Sequence, residues 1–309
     1  MKHAARPPVA IRAVAQALGV VDRVSPGTGV RLALRLERRR AGLTAARQTV
    51  DGLELHFTQG GRGEPLLLLH GIGADKDHFT RVAAHLTPHY RVVAVDLPGF
   101  GDSTRNPRLS HTPAAQVERL RAFVRARGLG RVHLGGSSMG GFIAAQWASL
   151  YPDEVRSLWL LGPAGVAAND SEMLTEFRQS GRCLLFARSE AEFREVLKRC
   201  CAKEPWLPAN LLSVLAARAA RDHDLHLDVF HELVLGDLLD EAALARVTAK
   251  TLVVWGAQDR ILDPSGGPVF QRGIPGATLR VMDGIGHLPM VEDPRTTARD
   301  YLRFQGKTG

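Results

Sequence analysis

The sequence has few cysteines, no long hydrophobic run and no phosphate-binding glycine loop. Only three of its 309 residues are cysteine (Cys183, Cys200 and Cys201), too few for a disulfide framework, which suits a reducing compartment. No stretch of about 18 apolar residues occurs, so no membrane-spanning helix is predicted. The missing phosphate loop gives no support to a nucleotide-dependent enzyme. We therefore expect a cytoplasmic globular protein without a cofactor or metal ion.

Acidic residues are also nearly absent from the first fifty positions, which contain only Asp22 and Glu37. The same segment has ten lysines and arginines and carries a net charge of +8, whereas the other 259 residues balance 30 basic with 30 acidic side chains. Residues 8–21 have the spacing of an amphipathic helix with a wide apolar face. We expect residues 1–46 to form a basic amphipathic arm on a neutral body.

The sequence leaves the role of this arm open. Residues 1–45 can make a peripheral contact with a membrane surface, as basic amphipathic helices do, or pack on the body as structure. An export signal is a further alternative, although Arg12 interrupts its apolar stretch. No aromatic residue lies in the first fifty positions for bases to stack on, so no nucleic-acid partner is expected. The oligomeric state stays open.

Beyond residue 47, short apolar runs alternate with helical patterns. Runs such as "PLLLL" (65–69) and "RVVAV" (91–95) are typical of strands buried on both faces of a parallel sheet. The alternation predicts an α/β protein with a mostly parallel central sheet and helices on both faces. Asp51-Gly52 predicts a hairpin turn near the start. Residues 30–40 fit either a helix or a strand.

The strand rhythm stops between residues 165 and 248, where only helical patterns occur. It resumes with "TLVVWG" (251–256). We interpret residues 165–248 as a helical cap inserted between two strands. Residues 47–164 and 249–309 then form the core.

The segment "GGSSMGG" (135–141) lies between a predicted strand and a predicted helix. A sharp strand-to-helix reversal strains its central residue and brings the residues two positions away too close for side chains. Only Ser138 has glycine at both offsets, Gly136 and Gly140, so Ser138 is the candidate nucleophile. The N–H of Met139, at the start of the helix, is a candidate oxyanion donor. Ile72, which follows the strand that ends in His-Gly, supplies the second candidate donor.

A serine nucleophile needs a base and an acid that orients the base. His287 lies in a glycine-containing loop after the last predicted strand, and Asp259 lies just beyond the preceding strand. Asp263 is a rival for the acid, but it is four residues further from the strand. His70 and Asp96, each at a strand end, are more typical of residues that hold loops and turns through hydrogen bonds.

These segments together resemble the α/β-hydrolase superfamily over roughly residues 50–305. The quoted elbow, "HGIGADKD" (70–77), "DLPGFGDST" (96–104) and "GIGHLPMVEDP" (284–294) carry the resemblance, which is nearest to bacterial lipases and monoacylglycerol-lipase-like esterases. The resemblance implies an α/β-hydrolase fold with Ser138 as nucleophile, His287 as base and Asp259 as acid. Ile72 and Met139 then form the oxyanion hole.

We therefore expect a serine hydrolase that cleaves carboxylic esters through an acyl-enzyme. Its substrates are expected to be small-molecule acylglycerols or other apolar acyl esters. Carbon–carbon bond hydrolysis, haloperoxidase chemistry and acyl transfer use the same triad and remain alternatives. The acyl chain length and the alcohol part of the substrate stay open.

Overall fold

The computed structural model describes residues 27–307, so the amphipathic helix expected at residues 8–21 lies outside the described residues. Within that range the chain forms one eight-stranded sheet in the order β1-β2-β4-β3-β5-β6-β7-β8. The strands are Leu43–Val50 (β1), Leu53–Gly60 (β2), Pro65–Leu69 (β3), Arg91–Val95 (β4), Val132–Ser137 (β5), Val155–Leu161 (β6), Lys250–Gly256 (β7) and Thr278–Met282 (β8). The β1–β2 and β2–β4 pairs are antiparallel, and all other pairs are parallel.

Helices connect these strands and cover both faces of the sheet. They are Thr28–Arg40 (α1), Thr80–Leu86 (α2), Pro113–Ala126 (α3), Met139–Leu150 (α4), Glu172–Ser180 (α5), Glu190–Cys200 (α6), Ala209–Leu235 (α7), Glu241–Ala245 (α8), Gly266–Gly273 (α9), Pro289–Glu292 (α10) and Pro294–Phe304 (α11), with short 3-10 turns at Lys76–Phe79 and Pro152–Glu154. Among residues 27–307, no helix is both long and apolar enough to cross a bilayer.

Each central strand is buried on both faces. In β3, Leu67 and Leu69 pack into one hydrophobic cluster, and Leu66 and Leu68 pack into a second cluster on the opposite face. Successive side chains of a strand point to opposite faces of the sheet. Because both faces are buried here, every leucine of the strand is apolar and the sequence shows an unbroken apolar run. The expected α/β-hydrolase fold with a mostly parallel, doubly covered sheet is confirmed.

The first two strands form the expected hairpin. Asp51 (φ 50°) and Gly52 (φ 77°) occupy its turn, where the left-handed backbone matches the twist of the flanking strands. Pairing continues back to Leu43, which lies opposite Gly60, so β1 begins four residues before the core boundary expected at residue 47.

Residues 30–40, for which the sequence allowed a helix or a strand, are part of α1. Val30 is buried, and Arg38 donates to both carboxylate oxygens of Asp77, which attaches α1 to the core. Basic side chains are not confined to the last turn of α1. Arg31, Arg35 and Arg39 recur along its exposed side.

The helical insertion lies between β6 and β7, as the sequence predicted. Helices α5 to α8 occupy it. Helix α8 packs against α4 and α9, and Leu244 lies beside Gly273 of α9. Helices α6 and α7 instead line a cavity at the carboxyl ends of the strands, where ligands bind in open α/β sheets.

Candidate active site

Ser138 occupies a sharp turn between β5 and α4. Its backbone is left-handed, with φ 54° and ψ −120°, a conformation that side-chain-bearing residues adopt only under strain. A Cβ atom on Gly136 would lie 2.1 Å from the carbonyl oxygen of Gly140, and one on Gly140 would lie 2.2 Å from that of Leu69. The flanking glycines are therefore required by the close approach of backbone to backbone, which is the reason the sequence pattern was informative.

The backbone N–H groups of Ile72 and Met139 lie beside this turn. Within the described part of the chain, the N–H groups of Ile72 and Met139 donate no hydrogen bond. Met139 is the first residue of α4, and helix-initial N–H groups lack partners in the helix itself. Gly71, next to Ile72, approaches Ser138 so closely that its Cβ would lie 3.0 Å from the Cβ of the serine. The loop after β3 thus lies directly against the elbow.

His287 and Asp259 form a buried hydrogen-bonded pair. His287 Nδ1 lies 2.8 Å from Asp259 Oδ2, and because an ionised carboxylate only accepts, the imidazole nitrogen donates. The second oxygen, Oδ1, accepts the N–H groups of Ile261 (2.9 Å) and Leu262 (3.0 Å). Gly162 lies against the pair, with its Cβ position 3.4 Å from both Asp259 Oδ2 and His287 Nδ1.

Asp263 takes a different role from Asp259. Its Oδ1 accepts the N–H of Ser265 at 2.9 Å, and its carbonyl oxygen accepts the N–H of Gly266. These contacts form the turn that leads into α9. The preference for Asp259 over Asp263 as the partner of His287 thus agrees with the observed hydrogen bonds.

His70 and Asp96 hold loops. Buried His70 donates from Nδ1 to the carbonyl oxygen of Gly71 at 2.7 Å and accepts the N–H of Leu97 at Nε2. Burial lowers the pKa of His70 to about 4, so the ring is neutral. Asp96 accepts the Lys76 ammonium at 2.6 Å and the N–H of Asp102 at 2.8 Å. Both residues fix the loop that carries Ile72.

Ser138, His287 and Ile72 line one cavity of about 1270 Å³ under the cap. This volume exceeds the roughly 300–1,000 Å³ of ordinary ligand pockets. Its cap wall is largely apolar, with side chains of α6, α7 and the segments beside them: Leu185, Phe186, Phe193, Val196, Leu197, Trp206, Leu207, Leu211 and Leu215. Charged residues also line the cavity, including Asp75 and, from α7, Arg218, Arg221 and Asp222. The cavity can thus hold a long apolar group with a polar end.

The cysteines that line this cavity are thiols. Burial raises the pKa of Cys201 to about 12, and burial also raises the pKa of Cys200. A thiolate is the reactive form, so neither side chain is suited to be a nucleophile. Within residues 27–307, no cluster of three or more potential metal ligands occurs.

Two features of the cavity were not found by sequence reasoning. Leu34 of α1 lines it, although the sequence placed this residue in the arm. Glu292 also lines it and accepts backbone N–H groups on both sides of His287. Because residues 30–40 fit either a helix or a strand, the sequence could not show which side chains of α1 face the cavity. A carboxylate that binds only backbone leaves no sequence pattern.

Comparison with known proteins identifies the family of the chain. A family model described as the alpha/beta hydrolase fold matches residues 64–294. Lipase 1 of Psychrobacter immobilis is 33% identical over 277 residues, which cover 88% of this chain and 87% of that protein. Monoacylglycerol lipase abhd6-A of Xenopus laevis is 29% identical over 283 residues, or 86% of this chain and 83% of that protein.

The chain is also similar to a solved structure of a lipid-cleaving enzyme. The crystal structure of a membrane phospholipase A, described as a novel bacterial virulence factor, is 38% identical to this chain, with a TM-score of 0.89 and coverage of 96% of each chain. The chain belongs to the α/β hydrolase fold family, and it is a carboxylic ester hydrolase, as the sequence predicted.

Proposed function

We propose that this ester hydrolase cleaves apolar acyl esters, such as acylglycerols, through Ser138, His287 and Asp259. The observation that carries the proposal is the buried His287–Asp259 hydrogen bond of 2.8 Å in a cavity that Ser138 also lines. Because Asp259 accepts a hydrogen bond from Nδ1, it favours the neutral imidazole tautomer that carries its proton on Nδ1. Nε2 is then the nitrogen that can take the proton of the serine hydroxyl.

The reaction proceeds in two halves. Ser138 Oγ attacks the ester carbonyl while His287 takes its proton, and the negative charge that develops on the carbonyl oxygen is stabilised by the N–H groups of Ile72 and Met139. His287 then returns the proton to the alcohol, which leaves. Water, activated by the same histidine, hydrolyses the acyl-enzyme and frees the serine.

The cavity lining supports an apolar acyl group. Phe193, Val196 and Leu197 of α6 and Leu211 and Leu215 of α7 present hydrocarbon surface to the cavity. Burial of each methylene contributes about 0.8 kcal/mol. The affinity should therefore rise with chain length until the cavity is filled. The names of the lipase relatives agree with this substrate class.

Turnover of a panel of p-nitrophenyl esters, from acetate to palmitate, tests the proposal. We expect hydrolysis of the panel with kcat/KM rising beyond the shortest chains, and loss of this activity in Ser138→Ala. Cleavage of a vinylogous 1,5-diketone, the substrate type of carbon–carbon bond hydrolases, without turnover of any ester would contradict it. So would equal activity of wild type and Ser138→Ala.

We also propose that the N-terminal arm docks the enzyme on an anionic lipid surface. Within the described residues, Leu32 and Leu36 of α1 are 44% and 38% exposed, next to the exposed Arg31, Arg35 and Arg39. Leu34 of the same helix lines the cavity. A surface of leucines and arginines suits a bilayer with negative head groups, and each arginine contributes about 1 kcal/mol near such a surface.

Sedimentation with phosphatidylglycerol-containing vesicles tests this docking. The full chain with Leu32→Gln and Leu36→Gln should bind more weakly than wild type, while turnover of a short soluble ester is unchanged. Leu150→Gln is the control, because Leu150 is similarly exposed at the end of α4. Equal vesicle binding by wild type and the double variant, or binding that does not weaken with salt, would contradict the proposal.

A further inference from the structure

Glu292 lies five residues after His287, and its carboxylate accepts three backbone N–H groups. Oε1 accepts from Gly286 at 2.9 Å and from Leu288 at 3.3 Å, the residues on either side of the histidine. Oε2 accepts from Ala202 in the cap at 2.7 Å. One carboxylate thus joins both flanks of His287 to the segment that follows α6.

A second contact joins the same two segments. The N–H of His287 donates to the carbonyl oxygen of Cys200, the last residue of α6, at 2.8 Å. Gly286 permits this approach, because a Cβ atom there would lie 2.7 Å from Ala202 N and 2.8 Å from Cys200 O. The loop of residues 286–288, called the histidine loop below, therefore packs directly against the cap backbone.

The cap also holds the loop that carries the acid. Ser171 donates from Oγ to the carbonyl oxygen of Ile261 at 2.7 Å, and the N–H of Met173 donates to that of Arg260 at 3.3 Å. The side chain of Arg260 in turn donates to the carbonyl oxygen of Lys198 in α6. Both members of the His287–Asp259 pair are thus attached to the cap, and on the histidine side the carboxylate of Glu292 makes a side-chain hydrogen bond of this attachment.

We propose that Glu292 is a positioning residue for His287, which holds the imidazole in place by fixing its loop to the cap. The proposal rests on the proposed function, because it assumes that His287 is the base. A displacement of a reacting group by about 1 Å can cost on the order of 100-fold in rate. Loss of Glu292 should therefore lower kcat and leave KM for a short ester nearly unchanged.

Two substitutions separate positioning from general support of the fold. Glu292→Gln keeps the size of the side chain but leaves one oxygen, so an amide N–H₂ group faces either Ala202 or the histidine loop. Glu292→Ala removes every contact. Asp293→Asn is the matched control, because among the described residues this neighbouring carboxylate accepts only the N–H of Thr296, at 3.0 Å, at the start of α11.

Steady-state kinetics with p-nitrophenyl acetate should show kcat lowered about 10-fold in Glu292→Gln and about 100-fold in Glu292→Ala, with KM within about twofold of wild type. Asp293→Asn should match wild type. Glu292→Gln decides the question if Glu292→Ala does not fold. An unchanged kcat in Glu292→Gln, or a rise in KM without a fall in kcat, would overturn the proposal.

A double-variant comparison tests whether the effect passes through the histidine. In a His287→Ala background, Glu292→Gln should cause no further loss of residual activity, because the base it positions is gone. A further 10-fold loss would overturn the positioning role. The outcome for His287→Ala alone tests the proposed function separately, since wild-type activity in that variant would contradict His287 as base whatever Glu292 does.

Discussion

His287 Nδ1 donates to Asp259 Oδ2 at 2.8 Å, whereas the carboxylate of Asp263 accepts the N–H of Ser265 in the turn that leads into α9. We therefore expect Asp259→Asn to lower kcat by about 10,000-fold, because an amide no longer fixes the imidazole tautomer. Asp263→Asn should cost little. Ester kinetics of the two variants provide the measurement, and the reverse order of effects would assign the acid to Asp263.

Ser137 and Ser138 are adjacent, but only Ser138 has the left-handed backbone of the elbow. Ser138→Ala should lower ester turnover by several orders of magnitude, and Ser137→Ala should retain most of it. A fluorophosphonate probe followed by peptide mass spectrometry should identify Ser138 as the labelled residue. Label on Ser137 would contradict the assignment.

Gly140 should be among the positions most sensitive to added volume. A Cβ atom there would lie 2.2 Å from the Leu69 carbonyl oxygen and 2.5 Å from that of His70. Backbone at that distance cannot move aside without shifting β3, so Gly140→Ala should lower the free energy of unfolding by about 3 kcal/mol or more. Gly128→Ala is the comparison, since Gly128 has open space and only its φ of 60° opposes a side chain. It should cost about 1–2 kcal/mol.

His70 should make stability depend on pH. Burial lowers its pKa from 6.5 to about 4 in the folded protein, so between these values the unfolded chain binds a proton that the folded chain does not. Stability from this group is complete above pH 6.5 and is lost as the pH falls, by about 2 kcal/mol at pH 5. Urea unfolding at pH 7 and pH 5 should show a smaller pH effect in His70→Gln than in wild type. The exposed His85→Gln variant is the control, and an equal pH effect in all three proteins would contradict the prediction.

Features of the fold and the candidate site were predictable from the sequence where the local backbone conformation or burial restricts which residue types can occupy a position. Gly136 and Gly140 indicated the sharp turn at Ser138, and the unbroken apolar runs indicated strands that are buried on both faces. Helix α1 was not assigned, because leucines and arginines in residues 30–40 satisfy both the helical period and the strand period. Glu292 was not found because its partners are backbone N–H groups from two distant segments, which no spacing encodes.

The strained backbone of Ser138 has a consequence for laboratory evolution. A glycine adopts φ 54° and ψ −120° readily, so Ser138→Gly should raise the melting temperature while it abolishes turnover. A library screened for thermal resistance alone will then enrich inactive chains at this codon. Screens of this enzyme should therefore couple heat challenge to a turnover readout, because at position 138 the two selections act in opposite directions.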